Sequence, residues 1–421
     1  MNLPYLIAIN LTRRCNLFCE HCYLDAEEKN APQAGELNTE ELSALFNDIA
    51  AKAPGTIIVL TGGEPLLRKD IFTLIQQGNQ AGLRMVVGTN GTMIDPDMAR
   101  LLSESGVHGL GISIEDTEPA AHEKFRGAND SWRKSVEGMQ HCLDAELHVQ
   151  MHTTLTQQNV ERIESIALFA RERKIPLLNF FFLVCVGRGK YILDITPEQY
   201  EVALKQIAQL QKEMKGIMIQ ARCAPHFKRV LYQDDPESPY TRSMGYDGGG
   251  CLAVTHYCRI DPVGNVTPCP YMENVAGNIR DTPFWDIWEN SPLFNQYKGM
   301  TLQGRCGDCE YIELCGGCRA RAQNAFDDFS AEDPSCTWQP ESKTVIKVEQ
   351  APPAEPGELW TPEALERLKK IPLFLRKFIR RRLEEKAKSE GAIITPEFMS
   401  RHREQREKEM GFSFDKQGKK K

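Results

Sequence analysis

The sequence predicts an α/β protein: a partial (β/α)6, TIM-like barrel, then a cysteine-rich domain, then a small helical C-terminal domain. Three observations carry this reading. Short apolar runs alternate with helical patterns from Pro4 to about Gln220, and alternating βα units make a parallel sheet. Eight of the fourteen cysteines fall between Cys251 and Cys336. A break rich in proline, Ala351-Pro-Pro-Ala-Glu-Pro-Gly357, separates that segment from a strongly helical stretch, Trp360 to Phe412.

The expected strands are Tyr5–Ile9, Thr56–Leu60, Arg84–Gly88, Gly109–Ile114, His148–Thr154 and Leu177–Leu183. Helices are expected between them, near Thr39–Ala51, Lys69–Ala81, Pro96–Ser105, Ser131–Ala145 and Asn159–Arg173. Asn38 or Thr39 with Glu40-Glu41 supplies an N-cap and first-turn acids, and Asp95-Pro96 opens another helix. Gly82 and Gly106 sit where helices stop. Six such units suggest a partial barrel, whose chemistry lies on the loops that follow the strands. Residues 1–233 form this unit, 234–250 a polar linker and 251–340 the cysteine-rich domain. A second linker spans 341–359, the small helical domain 360–412 and a disordered lysine-rich tail 413–421.

In that helical domain Leu365, Leu368, Ile371, Phe374, Leu375, Phe378, Ile379 and Leu383 recur at helical spacing, which predicts a small amphipathic core. Pro362, Pro372 and Pro396 mark the helix starts. The formal charge of −7 argues against a nucleic-acid binder. No apolar run approaches the roughly 18 residues that span a membrane. Met1-Asn-Leu-Pro-Tyr5 enters a strand directly, without a signal-peptide layout. Clustered cysteines in a long chain of this kind point to metal in a reducing compartment, the cytoplasm.

The first chemical feature is Asn10-Leu-Thr-Arg-Arg-Cys-Asn-Leu-Phe-Cys-Glu-His-Cys-Tyr23, which spaces Cys15, Cys19 and Cys22 as C-x3-C-x2-C. Three thiolates on a tight loop leave one iron of a [4Fe–4S] cube open. Structural zinc wants four closed ligands, and neither a fourth cysteine nor a suitably spaced histidine follows nearby. Thr61-Gly-Gly-Glu-Pro65 closes the next apolar run. Together the two motifs resemble the signature of radical S-adenosylmethionine (SAM) enzymes, including the aromatic His21 before the third cysteine. The resemblance implies a six-unit barrel and a SAM molecule bound at the open iron. It implies that an electron splits SAM to methionine and a 5′-deoxyadenosyl radical, which abstracts a substrate hydrogen. It also assigns SAM contacts to Gly62, Gly63 and Glu64, to Asn90 after the third strand, to Ser113 and Glu115 after the fourth, and to Arg126.

The second feature is Cys251, Cys258, Cys269, Cys306, Cys309, Cys315, Cys318 and Cys336, with Gly264-x4-Cys269 followed by C-x2-C-x5-C-x2-C. Eight thiols suffice for two four-iron clusters, and the same thiols suit all-thiolate zinc. The segment resembles the SPASM extension of radical SAM enzymes. That implies one auxiliary cluster on Cys251, Cys258, Cys269 and Cys318, and another on Cys306, Cys309, Cys315 and Cys336. Three [4Fe–4S] clusters are therefore expected, with ferredoxin or flavodoxin as electron donor.

The third feature, Arg222-Cys-Ala-Pro-His-Phe-Lys-Arg229, gathers a thiol, an imidazole and cations at the end of the barrel region. It reads either as a basic loop around a buried thiol or as a substrate clamp. In the clamp, Arg222, His226, Lys228 and Arg229 pair carboxylates, and Cys223 or His226 touches a central iron. The stretches Asn10–Cys15, Arg222–His226 and Cys269-Pro-Tyr271 are similar to the radical enzymes of haem assembly. Residues 360–403 resemble the C-terminal domain of a light-independent protochlorophyllide reductase subunit. These resemblances imply a tetrapyrrole substrate whose propionates are oxidatively decarboxylated or cleaved. The alternative is a radical SAM maturase acting on a peptide or protein.

Overall fold

The structure, a computed structural model, describes residues 3–28, 30–31, 35–191, 194–236, 250–346, 359–369, 371 and 373–410. Most of both expected linkers, and the expected tail, lie outside these residues.

Every strand expected from the sequence is present, each end within one residue of its expected place. They are Leu6–Asn10 (β1), Ile57–Thr61 (β4), Arg84–Thr89 (β5), Gly109–Ser113 (β6), Val149–Leu155 (β7) and Leu177–Phe182 (β8). A short ladder of Arg14–Cys15 (β2) on Glu27–Glu28 (β3) lies apart from them. The sheet is larger than six strands. Met218–Arg222 (β9) pairs parallel to β8, and Tyr257–Ile260 (β10) pairs parallel to the far edge, β1. Asn265–Thr267 (β11) and Gly277–Asn278 (β12) follow antiparallel, giving the order β12-β11-β10-β1-β4-β5-β6-β7-β8-β9. The two extra parallel strands are short and carry Gln220, Arg222 and Arg259, so they show no apolar run. Their pairing is set by distant partners rather than by local pattern.

Eight helices are labelled along the barrel region: Thr39–Lys52 (α1), Ile71–Gln80 (α2), Pro96–Glu104 (α3), Pro119–Arg126 (α4), Ser131–Asp144 (α5), Ile163–Glu172 (α6), Pro197–Glu213 (α7) and His226–Asp234 (α8). The start of α1 is closed reciprocally. Asn38 Oδ1 accepts from the Glu41 N–H, and Glu41 Oε2 accepts from the Asn38 N–H, each at 2.8 Å.

Strand register sorts the side chains into two faces, because residues level across parallel strands point the same way. Ile7, Ile58 and Met85, then Ile9, Leu60, Val87 and Leu110, are level with one another and fully buried. They form the core beneath the helices. The other face carries Asn10 and Thr61, then Ser113, His152, Asn179 and Gln220, then Thr154, Phe181 and Arg222. A face this polar on a parallel sheet suits a ligand better than dry packing.

The C-terminal helices, Pro362–Lys369, Leu373–Glu390 and Pro396–Met410, enclose their own core of Ala364, Leu368, Leu383, Ala387, Ile394, Phe398 and Met399. Trp360 Nε1 donates to the buried Glu384 carboxylate at 2.7 Å. Leu368 and Leu383 are buried as the spacing predicts, and Ile371 and Ile379 pack against this core. The side chains of Phe374, Leu375 and Phe378 lie outside the described residues. Among the described residues no helix is long and apolar enough to cross a membrane.

Candidate active site

Cys15, Cys19 and Cys22 sit on the loop after β1, and three other segments hold that loop. The turn after β4 does so through its backbone: Gly63 N–H donates to Thr12 O and Glu64 N–H to Arg14 O, both at 2.8 Å. The end of α4 accepts from the loop, Phe18 N–H to Arg126 O at 3.1 Å and Glu20 N–H to Phe125 O at 2.9 Å. From the segment after β8, Arg188 N–H donates to Cys22 O at 3.0 Å. The Arg188 guanidinium reaches Cys19 O, Ala26 O and the Asp25 carboxylate. Helix α4 and the role of Arg188 were missed from sequence. The Gly187-Arg-Gly189 pattern was the available signal, and Gly187 does adopt the left-handed φ of 54°.

All three sulfurs accept hydrogen bonds. Leu17 N–H lies 3.4 Å from Cys15 Sγ, Ala26 N–H 3.4 Å from Cys22 Sγ, and Arg126 Nη1 3.6 Å from Cys19 Sγ. Burial, the leading cause, pushes the Cys15 thiol up to about 12, so a thiolate there needs a positive centre beside it.

Gly62 and Gly63 serve the cysteine loop directly, since their backbone is what abuts Thr12 and Arg14. Glu64 is fully buried and accepts from Leu66 N–H (3.0 Å), Thr89 Oγ1 (2.8 Å) and Asn90 N–H (2.9 Å). A carboxylate offers about four acceptor positions, which leaves room for one further donor. Asn90 bonds Asn16 of the cysteine loop at 2.9 Å. Glu115, also buried, pairs with Arg126 and accepts from Thr154 N–H at 2.6 Å. His21 stacks on Phe125 at 4.7 Å between ring centres, with Nε2 3.8 Å from Glu115. Ser113 is level with His152 on the inner face.

Buried polar atoms around this loop lack partners: His21 Nδ1, Arg126 Nε and Arg188 Nη2. Orphans of this kind, beside three hydrogen-bonded sulfurs, fit a polar group bound there. His122 is a nearby case with a pH consequence. It accepts from Glu115 N–H at 3.1 Å, and burial, then Arg126, lowers its pKa to about 3. The unfolded chain takes up that proton below about pH 6.5, so stability falls as pH drops from there towards 3. Between pH 7 and pH 5 this one group costs about 2 kcal/mol. His122→Asn is expected to reduce the shift in urea midpoint between those two pH values.

The cysteines from 251 onward fall into distinct settings. Cys306, Cys309, Cys315 and Cys336 line one pocket with His226, Arg229, Arg305, Asp333 and Trp338. Asp333 N–H and Arg319 Nη2 approach Cys306 Sγ, Tyr311 N–H approaches Cys309 Sγ, and Gly317 N–H approaches Cys315 Sγ. Burial, then the nearby Cys251 and Cys318, raises the pKa of Cys269, and burial, then Asp333 and Cys251, raises that of Cys318. Cys258 is not with them. It is level with Ile7 on the helix-facing side of β10, fully buried in the apolar core. The pleat forces this, because Tyr257 and Arg259 take the inner face. Among the described residues no three His, Cys, Asp or Glu side chains converge on a single-ion site.

The expected clamp is also divided. Arg222 is on the inner face, with Nε donating to Asn179 Oδ1 at 2.9 Å. His226 is not at the barrel mouth. It is 1% exposed, Tyr200 Oη lies 3.0 Å from Nδ1, and Asp333 stands 3.6 Å from Nε2. Burial lowers its pKa to about 4, so it is neutral near pH 7. Cys223, with a left-handed φ of 55°, sits beside Tyr271. The inner-face residues His152 and Asn179 were missed, since single polar residues inside apolar runs carry no motif.

Comparison with known proteins bears on this site. Residues 9–170 match the family model described as the radical SAM superfamily, and residues 251–319 match an iron-sulfur cluster-binding domain. Residues 360–403 match the proto-chlorophyllide reductase 57 kD subunit. An AdoMet-dependent heme synthase of Methanosarcina barkeri (strain Fusaro / DSM 804) is 38% identical over 348 residues, covering 81% of this chain and 99% of that protein. The chain belongs to the haem-biosynthesis group of radical SAM enzymes. A further radical SAM relative, the Fe-coproporphyrin III synthase of the same organism, is 30% identical over 79% of this chain and 87% of its own length. In fold, radical SAM neighbours include Streptococcus suis SuiB bound to S-adenosylmethionine (TM-score 0.64, 16% identity, 80% of this chain and 78% of that one). Native anSMEcpe with bound AdoMet gives a TM-score of 0.61 at 20% identity, covering 79% of this chain and 93% of that one. As a radical SAM enzyme the protein uses SAM and iron–sulfur clusters.

Proposed function

We propose that this enzyme modifies the side chains of an iron tetrapyrrole in haem assembly: a propionate would lose a hydrogen atom and carbon dioxide, and an auxiliary cluster would accept the remaining electron. The observation that carries the proposal is the 38% identity to the heme synthase across 99% of that protein's length. Residues 1–233 would be the catalytic barrel, 251–340 the auxiliary-cluster domain and 360–412 a helical appendage. Three [4Fe–4S] clusters are assigned. The first is on Cys15, Cys19 and Cys22, the second in the pocket of Cys306, Cys309, Cys315 and Cys336, and the third at Cys251, Cys269 and Cys318. No disulfide links any of the fourteen cysteines, which suits the reducing cytoplasm. Ferredoxin or flavodoxin would supply electrons.

When bound at the first cluster, SAM supplies the radical that takes a hydrogen atom from the substrate. The chain's own residues orient and shield. Glu64, already satisfied by three donors, fixes the Thr89–Asn90 turn against the cysteine loop and keeps one acceptor position for an ammonium. The buried Glu115–Arg126 pair, with Arg126 also on Cys19, joins the cluster loop to the ends of β6 and α4. Gly62 and Gly63 act through loop packing. Asn90, Ser113 and His21 border the same space. Arg222, at the rim of the polar inner face, is placed to pair a propionate.

A charged hydrogen bond is worth about 1.5–3 kcal/mol. Arg222→Ala is therefore expected to raise the KM for the porphyrin by roughly 10- to 100-fold. Uncoupled SAM cleavage should survive; its loss would count against a clamp. The function itself is tested by anaerobic turnover of reconstituted protein with SAM, a strong reductant and iron-coproporphyrin III. Mass spectrometry should find porphyrin that has lost carboxyl groups in step with 5′-deoxyadenosine. Deoxyadenosine beside unchanged porphyrin would refute this substrate and turn attention to peptides. Relatives of that kind, such as the PqqA peptide cyclase of Rhizobium meliloti, stand at 27% identity.

A further inference from the structure

We infer that Cys223, from the barrel, is the fourth protein ligand of the auxiliary cluster held by Cys251, Cys269 and Cys318, and that Cys258 is not a ligand. The inference rests on the proposed cluster content and concerns which residues of this chain hold one cluster.

Three geometric observations place Cys223 there. Gly250, next to Cys251, packs so tightly that a β-carbon on it would stand 2.6 Å from Pro225 Cβ and 2.0 Å from Cys315 O. That puts Cys251 against the Cys223-Ala-Pro225 turn. Arg321 ties the same turn to the helix that begins after Cys318, with Nη2 donating to Cys223 O at 2.7 Å. The Tyr271 hydroxyl, two residues from Cys269, stands beside the Cys223 sulfur. All three thiols of the set thus have a neighbour touching residues 223–225. Electrostatics agree, since Cys223 feels Cys318 and Cys251, and Cys269 feels Cys223. The only cause that raises the pKa of Cys258 is its own burial, with no other thiol contributing.

The backbone at Cys223 points the same way. A left-handed φ of 55° is uncommon for a residue other than glycine, asparagine or aspartate. Here it turns the chain out of β9 so that Arg222 keeps the inner face while the next side chain meets Tyr271. An unbranched thiol held this way, beside a hydroxyl and three other thiols, suits a thiolate ligand better than packing. Ligation releases the thiol proton. Cys258, by contrast, is level with Ile7 inside a dry core and reaches the other side of the sheet only if β10 slips by one residue.

The test counts iron and sulfide in the full-length reconstituted protein and records EPR spectra of the reduced protein with and without SAM. Wild type should hold about twelve iron atoms, four per cluster. Cys223→Ala is expected to lose between one and four of them and to shift or abolish the signal of one auxiliary cluster. Cys223→Gly, which suits the left-handed backbone, should do the same and separates ligand loss from misfolding. Cys258→Ala and Cys258→Ser should keep both the iron content and the spectrum. Retention of full iron and an unchanged spectrum in both Cys223 variants would overturn the inference. So would loss of one cluster's iron in both Cys258 variants, provided circular dichroism shows them folded. A wild-type protein with a single cluster would overturn the proposed cluster content as well.

Discussion

Gly63→Ala is expected to strip the protein of its first cluster and to lower 5′-deoxyadenosine formation at least 100-fold. A β-carbon at Gly63 would lie 2.2 Å from Arg14 O, 2.6 Å from Arg14 C and 2.8 Å from Arg13 O. All three are backbone atoms of the strand-and-loop that ends in Cys15, so relief requires that loop to move. Moving it breaks the Gly63 N–H bond to Thr12 O and the Glu64 N–H bond to Arg14 O. It also drags Glu64 away from Thr89 and Asn90. Overpacking of this kind costs about 1–3 kcal/mol in an ordinary core. Here the cost falls on cluster geometry, where a shift of about 1 Å can cost 100-fold in rate. Iron content together with chromatographic assay of 5′-deoxyadenosine checks the result. Gly78→Ala is the control. The three atoms nearest its β-carbon all belong to the Met85 side chain, the closest at 2.1 Å, and none belongs to the cysteine loop, so cluster and SAM cleavage should persist. Full iron and normal cleavage in Gly63→Ala would show that the loop tolerates displacement.

Arg126→Met is expected to destabilise the fold by about 3–5 kcal/mol, the usual penalty for breaking one side of a buried ion pair. Burial alone would lower the Arg126 pKa, but Glu115 and Cys19 outweigh it and hold the guanidinium charged. Removing that charge leaves the Glu115 carboxylate buried beside the cluster loop, and burial already raises the Glu115 pKa. Adding Glu115→Gln should therefore restore a large part of the loss, because a neutral amide still accepts from Thr154 N–H. Anaerobic urea denaturation of wild type, both single variants and the double variant closes the cycle. Additive effects would mean that the two side chains are independent, contrary to their contact.

Both of these residues were marked beforehand as SAM contacts. Gly63 was marked by its motif; its steric role depends on Arg14 lying across it. Arg126 was marked without its helix: α4 was not among those expected, because eight residues show too little periodicity. The three-cysteine loop and the run of βα units needed no structure to be legible. Ligand spacing is local, and hydrophobic alternation repeats along the chain. The apolar stripe of residues 360–403 was legible for the same reason, and Leu368 and Leu383 are buried where it placed them.

What the sequence determined by itself is therefore the local chemistry: which thiols exist, how they are spaced on each loop, and which segments become strands. Tertiary structure decided which thiols meet. A two-residue periodicity sends Cys258 to one face of β10 and Tyr257 and Arg259 to the other, and that choice depends on register with Ile7, some 250 positions away. The same long-range pairing added β9 to the sheet, put Arg222 on the inner face and buried His226 between Tyr200 and Asp333. Cysteine spacing names a set of possible ligands; the packing of distant strands and loops decides which of them can meet.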